Sequence, residues 1–169
     1  MVNRNKNLEN RLRGTKWAYT GSMAMKIHGN KLGIPFYRNV GNINIAVNKN
    51  NHRFIVPLIA QGKWNLRGPP NIRNRHTKFI SNNGLKLNLL SKNLAPPMNK
   101  VVFVNGVPVM SINTLYNQKR KINNNNNKAM RNINYLLKLD PSLKNKKRNN
   151  SPPRMRRNFG STARSLSWN

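Results

Sequence analysis

Gly41-Asn42-Ile43-Asn44-Ile45-Ala46-Val47 alternates along its length, with Ile43, Ile45 and Val47 on one face and Asn42, Asn44 and Ala46 on the other. Period-two alternation fits a pleated, half-buried strand and not a helix. Upstream, Trp17-Ala18-Tyr19-Thr20 reads as a short strand, Gly21-Ser22 as a turn, and Met23 to His28 as the start of a helix. Downstream, His52 to Gln61 is apolar enough for a helix, and Pro57 argues for a late start or a kink. His76 to Ser81 and Leu85 to Leu90 flank Asn82-Asn83-Gly84, and an Asn-Gly between alternating runs is a strong hairpin signal. Val101 to Val104, Asn105-Gly106 and Val107 to Met110 repeat that pattern, with Pro108 demoting the second run to a sheet edge.

Ser111 is placed to cap a helix reaching about Lys121, and Asn123 to Asn127 reads as a polyasparagine loop. The last helix, from about Lys128 to Leu139, puts Met130, Ile133, Leu136 and Leu137 on one face, with Pro141 just beyond. The sequence thus predicts an α+β domain over 15–140. A basic N-terminal arm over 1–14, which orders only on a partner, and a basic Ser/Pro/Arg-rich tail over 141–169 flank it, both without core-forming pattern.

Charge decides the class of partner. Lys and Arg number 32 against two acids, Glu9 and Asp140, for a formal net charge of +30 on 169 residues. Such a density leaves strong self-repulsion unless an external polyanion neutralises it. The hydrophobic share, 37 %, allows one modest core. With no cysteine there are neither disulfides nor thiolate metal sites. No apolar run is long enough for a membrane span, and no apolar leader follows Met1, so the expectation is an intracellular protein, neither secreted nor membrane-bound.

Taken in order, Gly21-Ser22, His28, Gly41-Asn42-Ile43-Asn44-Ile45 and Leu87-Asn88-Leu89-Leu90 resemble the nucleotidyltransferase fold of the polymerase-beta type. Gly106-Val107-Pro108-Val109-Met110-Ser111, with Leu115 to Lys119, is similar to a run in its bacterial antitoxin and abortive-infection relatives. The resemblance implies a small mixed sheet flanked by helices, covering about residues 15 to 140. It also implies that aspartates of a two-magnesium site fall at Asn42, Asn44 and Asn88. Amides there are neutral, whereas magnesium is held by carboxylates and phosphates. On that ground the chain is expected to be an inactive relative: no enzyme, no metal, no cofactor.

Phosphate contacts are then assigned to Gly21 and Ser22, whose amides open a helix, and to the basic residues Lys26, Arg67, Arg73, Arg75, Lys78, Lys119, Arg120, Lys121, Lys128 and Arg131. In the tail they are assigned to Lys144, Lys146, Lys147, Arg148, Arg154, Arg156 and Arg157. Ser22 lacks His and Asp partners for nucleophilic work. His28, His52 and His76 are scattered, and packing accounts for His28. Trp64 and Phe79 read as core, while Phe159 and Trp168 are free to stack on bases. Ser151-Pro152-Pro153-Arg154 is like histone and protamine tails, and Ser151, Ser161, Ser165 and Ser167 are sites where phosphorylation would weaken polyanion binding.

The function expected is sequence-independent binding and condensation of nucleic acid, DNA over RNA, with self-association along the polymer. The asparagine-rich, AT-rich-looking composition suggests a virion core protein of a large DNA virus. The alternative is a ribosomal or other ribonucleoprotein subunit, whose basic arms thread between RNA helices.

Overall fold

The computed structural model describes residues 5–68, 76–91, 95, 97–121 and 127–145. Its centre is strand β2, Asn42–Val47, the alternating stretch itself. On one side β2 pairs antiparallel with β1, Trp17–Thr20, in the register Tyr19 opposite Ile45 and Thr20 opposite Asn44. On the other it pairs parallel with β5, Lys86–Leu90, placing Asn44 opposite Asn88 and Ile45 opposite Leu89. Strand β4, His76–Ser81, forms the expected hairpin with β5. Beyond it lies β3, Trp64–Leu66, for which the sequence shows no strand pattern.

At the far side β7, Val107–Met110, runs parallel to β1 and closes a hairpin with β6, Val101–Val104. The seven-stranded order among the described residues is β3-β4-β5-β2-β1-β7-β6. The edge is therefore β6, not the proline-bearing β7. Pro108 is tolerated because the pairing of β7 with β1 is recorded at a single register position, Tyr19 opposite Val109, so the missing N–H interrupts a short ladder.

Period-two alternation separates the two faces of this sheet. Val109, Tyr19, Ile45, Leu89 and Thr77 lie in register across five strands, each 1 % exposed or less. Ile43, Leu87 and Phe79 form the next buried row. Among the described residues, five α-helices accompany the sheet: α1, Lys6–Arg11; α2, Gly21–Lys31; α3, His52–Ala60; α4, Ile112–Lys121; and α5, Asn127–Leu139. Ser111 caps α4 as expected, its Oγ accepting from the Thr114 amide at 3.3 Å.

Some boundaries shift. Within the expected N-terminal arm, α1 is capped by Asn5 and sends Leu8 and Leu12 into the core, so the domain begins well before residue 15. Leu143, in a 3-10 turn at Pro141–Asn145, is fully buried, so the domain also continues past 140. Leu8 and Leu12 are spaced four apart, as on one face of a helix, but the run is too short and polar to stand out, and Leu143 stands among polar residues. Helix α3 starts at His52 and runs through Pro57. On α5 the buried face is Ala129, Asn132, Ile133, Tyr135, Leu136 and Leu139, which leaves Met130 exposed.

Candidate phosphate-binding site

One residue along each strand from the buried row lies a polar one. Thr20, Asn44, Asn88 and Lys78 face each other across β1, β2, β5 and β4. Opposite residues in register share a face, about 5 Å from strand to strand. Two positions along on the same face, Asn42 stands opposite Lys86. Asn88 Nδ2 donates to Asn44 Oδ1 at 2.8 Å, and Thr20 Oγ1 reaches Gln118 Oε1 on α4 at 3.5 Å.

Helix α2 begins immediately after Thr20. Gly21 takes a positive φ of 62°, and a Cβ there would lie 3.0 Å from Asn44 Nδ2. Glycine is thus demanded twice, by the backbone and by the close approach of the asparagine. No side chain caps the first turn of α2 from Thr20. The helix therefore presents amides of the kind that bind anions.

Cations gather over this helix start. Arg38, from the loop between α2 and β2, donates through Nη2 to Ser22 Oγ at 2.6 Å. Lys119 on α4 is held below the usual lysine value, chiefly by burial and further by the charges of Lys128 and Arg38. Lys119 thus feels the charge of Lys128 on α5 and of the same Arg38 that bonds Ser22. Lys128 stands in the first turn of α5, where the helix dipole disfavours a cation. Tyr37 Oη donates to Asn132 Oδ1 at 2.7 Å and accepts from Arg38 Nε at 3.2 Å, tying the Arg38 loop to α5.

Of the phosphate contacts expected from the sequence, Gly21 and Ser22 open α2, Lys119 and Lys128 lie close enough for one charge to act on the other, and Lys78 stands opposite Asn88 in register. Lys26 lines a separate cleft with Asn39, Gly41 and Asn83. Arg131 faces a groove with Tyr37 and Lys138. Arg67 follows edge strand β3, Arg120 lies against the Tyr116 ring, Lys121 ends α4, and Lys144 sits in the last 3-10 turn. Arg73, Arg75, Lys146, Lys147, Arg148, Arg154, Arg156 and Arg157 lie outside the described residues, as do Phe159 and Trp168. Trp64 and Phe79 are buried, as read from the sequence.

Two site residues escaped sequence reading. Arg38 is an isolated basic residue in a loop, with no pattern to single it out. Lys86 was findable, since it precedes Asn88 by two on a strand and so shares its face. His28 packs as expected, with its Nε2 2.9 Å from the Met110 carbonyl.

The nucleotidyltransferase resemblance implies magnesium on this row, but the donor set does not fit it. Asn42, Asn44 and Asn88 offer neutral amides, and Asn44 Oδ1 already accepts from Asn88.

No family profile and no curated protein matches the sequence. Solved structures do match in shape. The antibiotic-resistance factor ANT(2'')-Ia superposes with a TM-score of 0.57 at 9 % identity, over 82 % of this chain and 83 % of its own. JHP933 from Helicobacter pylori gives 0.54 at 13 % identity, over 82 % of this chain, which spans 65 % of JHP933. A candidate nucleotidyltransferase from Thermotoga maritima gives 0.50 at 17 % identity, over 69 % of this chain and 81 % of its own. The fold is thus nucleotidyltransferase-like, a mixed sheet with helices.

The same comparison corrects the expectation that the chain is no enzyme. Proteins sharing its fold include that candidate nucleotidyltransferase and ANT(2'')-Ia, solved in complex with adenylyl-2''-tobramycin.

Proposed function

We propose that this chain binds nucleic acid through its phosphates, without regard to sequence, and neutralises and condenses DNA. The observation that carries the reading is the Arg38 guanidinium bonded to the Ser22 hydroxyl at the start of α2, with Lys119 sensing the charges of both Arg38 and Lys128. Crowding like charges costs stability in the free protein, and a phosphate placed among them offsets that cost. Arg38 presents a planar fork suited to two phosphate oxygens, while Ser22 supplies a neutral donor at the start of α2.

In this reading Asn42, Asn44 and Asn88 stand where relatives of the fold carry aspartates. Amides on this face, flanked by Lys86 and Lys78, raise no repulsion against a phosphate backbone. The rest of the +30 charge extends the contact surface. Phosphate contacts position a protein without specifying sequence.

The test is a titration of random-sequence duplex DNA against defined sequences of equal length, followed by light scattering and competition at ~0.15 M salt. Condensation should set in near one protein per about 15 base pairs, the ratio at which +30 meets two phosphates per pair. Deleting residues 146–169, which hold seven of the basic residues, should lower the salt slope by roughly three, if about half of them reach phosphates. One sequence bound more than roughly a thousandfold tighter than the rest would make the protein a regulator instead. Selective capture of one folded RNA would favour the ribonucleoprotein reading.

A further inference from the structure

The loop after α2 does more than deliver Arg38. Ile34 and Tyr37 of this loop, with Pro35, face α5 across a groove of about 460 Å³ whose other wall carries Arg131, Asn134, Tyr135 and Lys138. Its shape is built in. Tyr135 Oη donates to the Ile34 carbonyl at 2.8 Å, and a Cβ at Gly29 would collide with both of those oxygens. Tyr37 is 41 % exposed, yet its hydroxyl is tied to Asn132, itself only 3 % exposed. Phe36 at 4.8 Å and Tyr135 at 6.0 Å brace the Tyr37 ring.

An aromatic ring that is fixed in orientation and open to solvent has lost its rotamer freedom before any ligand arrives. The groove around it is cationic. Arg131, Asn134 and Lys138 occur at i, i+3 and i+7 on α5, a stripe along one helix face. Neither Glu9 nor Asp140 lines the groove. The ligand such a surface fits is planar, carries negative charge, and offers hydrogen-bonding edges to the Asn134 amide.

We propose that this groove seats an unpaired nucleobase stacked on Tyr37, so that the chain takes single-stranded nucleic acid here in preference to duplex. The proposal rests on the nucleic-acid reading above and names the strand form that the site accepts. Paired bases have their faces covered by neighbours and their edges engaged, so only an unpaired base reaches the ring. One guanidinium connects the two subsites. Arg38 Cζ lies 5.6 Å from the Tyr37 ring centroid while its Nη2 bonds Ser22. A strand with its base on Tyr37 therefore has an adjoining phosphate within reach of Arg38.

The experiment is fluorescence anisotropy of the full chain at ~0.15 M salt with a labelled 20-nucleotide oligothymidine and, separately, a 20-base-pair duplex. The parent and Tyr37→Trp should both bind the single strand. Tyr37→Ala should bind it roughly tenfold or more weakly, the usual cost of one lost stacking contact, and lose clearly less on the duplex, where only the tie of Tyr37 to Arg38 is missing. Equal loss on both probes, or no loss on the single strand, overturns the base-stacking site and leaves phosphate binding standing. A parent that binds neither probe overturns both readings. Tyr37→Trp guards against misfolding, because it keeps a stacking ring; if it binds like Tyr37→Ala despite an unchanged thermal melt, stacking is not what Tyr37 provides.

Discussion

Two rows of side chains cross the same strands one residue apart, and they have opposite character. Tyr19, Ile45, Leu89 and Thr77 are sealed inside, whereas Thr20, Asn44, Asn88 and Lys78 make up the polar side on which the candidate site is built. The pleat alone separates them, since successive residues point to opposite faces. Chemistry on the polar row can therefore change without touching the packing that holds the fold. This is how a chain 9 to 17 % identical to solved nucleotidyltransferase-fold proteins keeps their architecture.

The largest contrast should come from paired alanine substitutions on β2. Ile45→Ala opens a cavity in a fully buried layer and should cost about 2–5 kcal/mol in urea unfolding. Asn44→Ala removes one partly buried hydrogen bond and should cost about 1 kcal/mol. Equal costs would break the division between a row for folding and a row for binding.

A finer measurement concerns the amide pair itself. A double-mutant cycle of Asn44→Ala and Asn88→Ala should return a coupling of roughly 0.5–1.5 kcal/mol, the worth of one neutral hydrogen bond. Additivity within error would mean that the two amides do not act as a unit.

The buried side contains one titratable group that links α2 to β7. Burial, the larger cause, and the nearby Lys31 hold His28 below 6.5, against the opposing pull of its bond to Met110. Its folded pKa is depressed, so below 6.5 the unfolded chain binds the extra proton more readily and stability falls as pH drops. The contribution is complete above pH ~6.5 and is lost as pH falls toward the depressed value. His28→Gln should flatten the difference in melting temperature between pH 7.5 and 5. An unchanged difference would assign the acid sensitivity elsewhere.

Legibility from sequence followed the same division. Alternation at Asn42 to Val47 and Asn-Gly at Asn83-Gly84 and Asn105-Gly106 produced strands and hairpins where expected, because those signals are local. Leu8, Leu12 and Leu143 belong to the core, although each stands in a short, mostly polar stretch with too few apolar residues to signal it. The polar row was half legible. Asn42, Asn44, Asn88 and Ser22 fell in recognisable motifs, while Arg38 joined them through a loop whose path depends on Tyr37, Asn132 and Gly29.

The smallest effect expected is also the one that ties charge to function most directly. Lys119 is crowded by its own burial, by Lys128 and by Arg38, so its charged form is disfavoured in the free protein. Its depressed pKa means that the unfolded chain holds that proton longer, and the parent should gain stability as pH rises toward 10.5. Lys119→Met keeps the length of the side chain and removes the repulsion. The variant should melt no lower than the parent near neutral pH, with the alkaline gain diminished. If Lys119 contacts a phosphate, the same change should lower the salt slope of DNA binding by about one. Stability held while binding weakens is the signature of a residue kept for its ligand. A lower melting temperature with an unchanged salt slope would instead make Lys119 a packing residue, and would remove one of the cations on which the phosphate-binding reading rests.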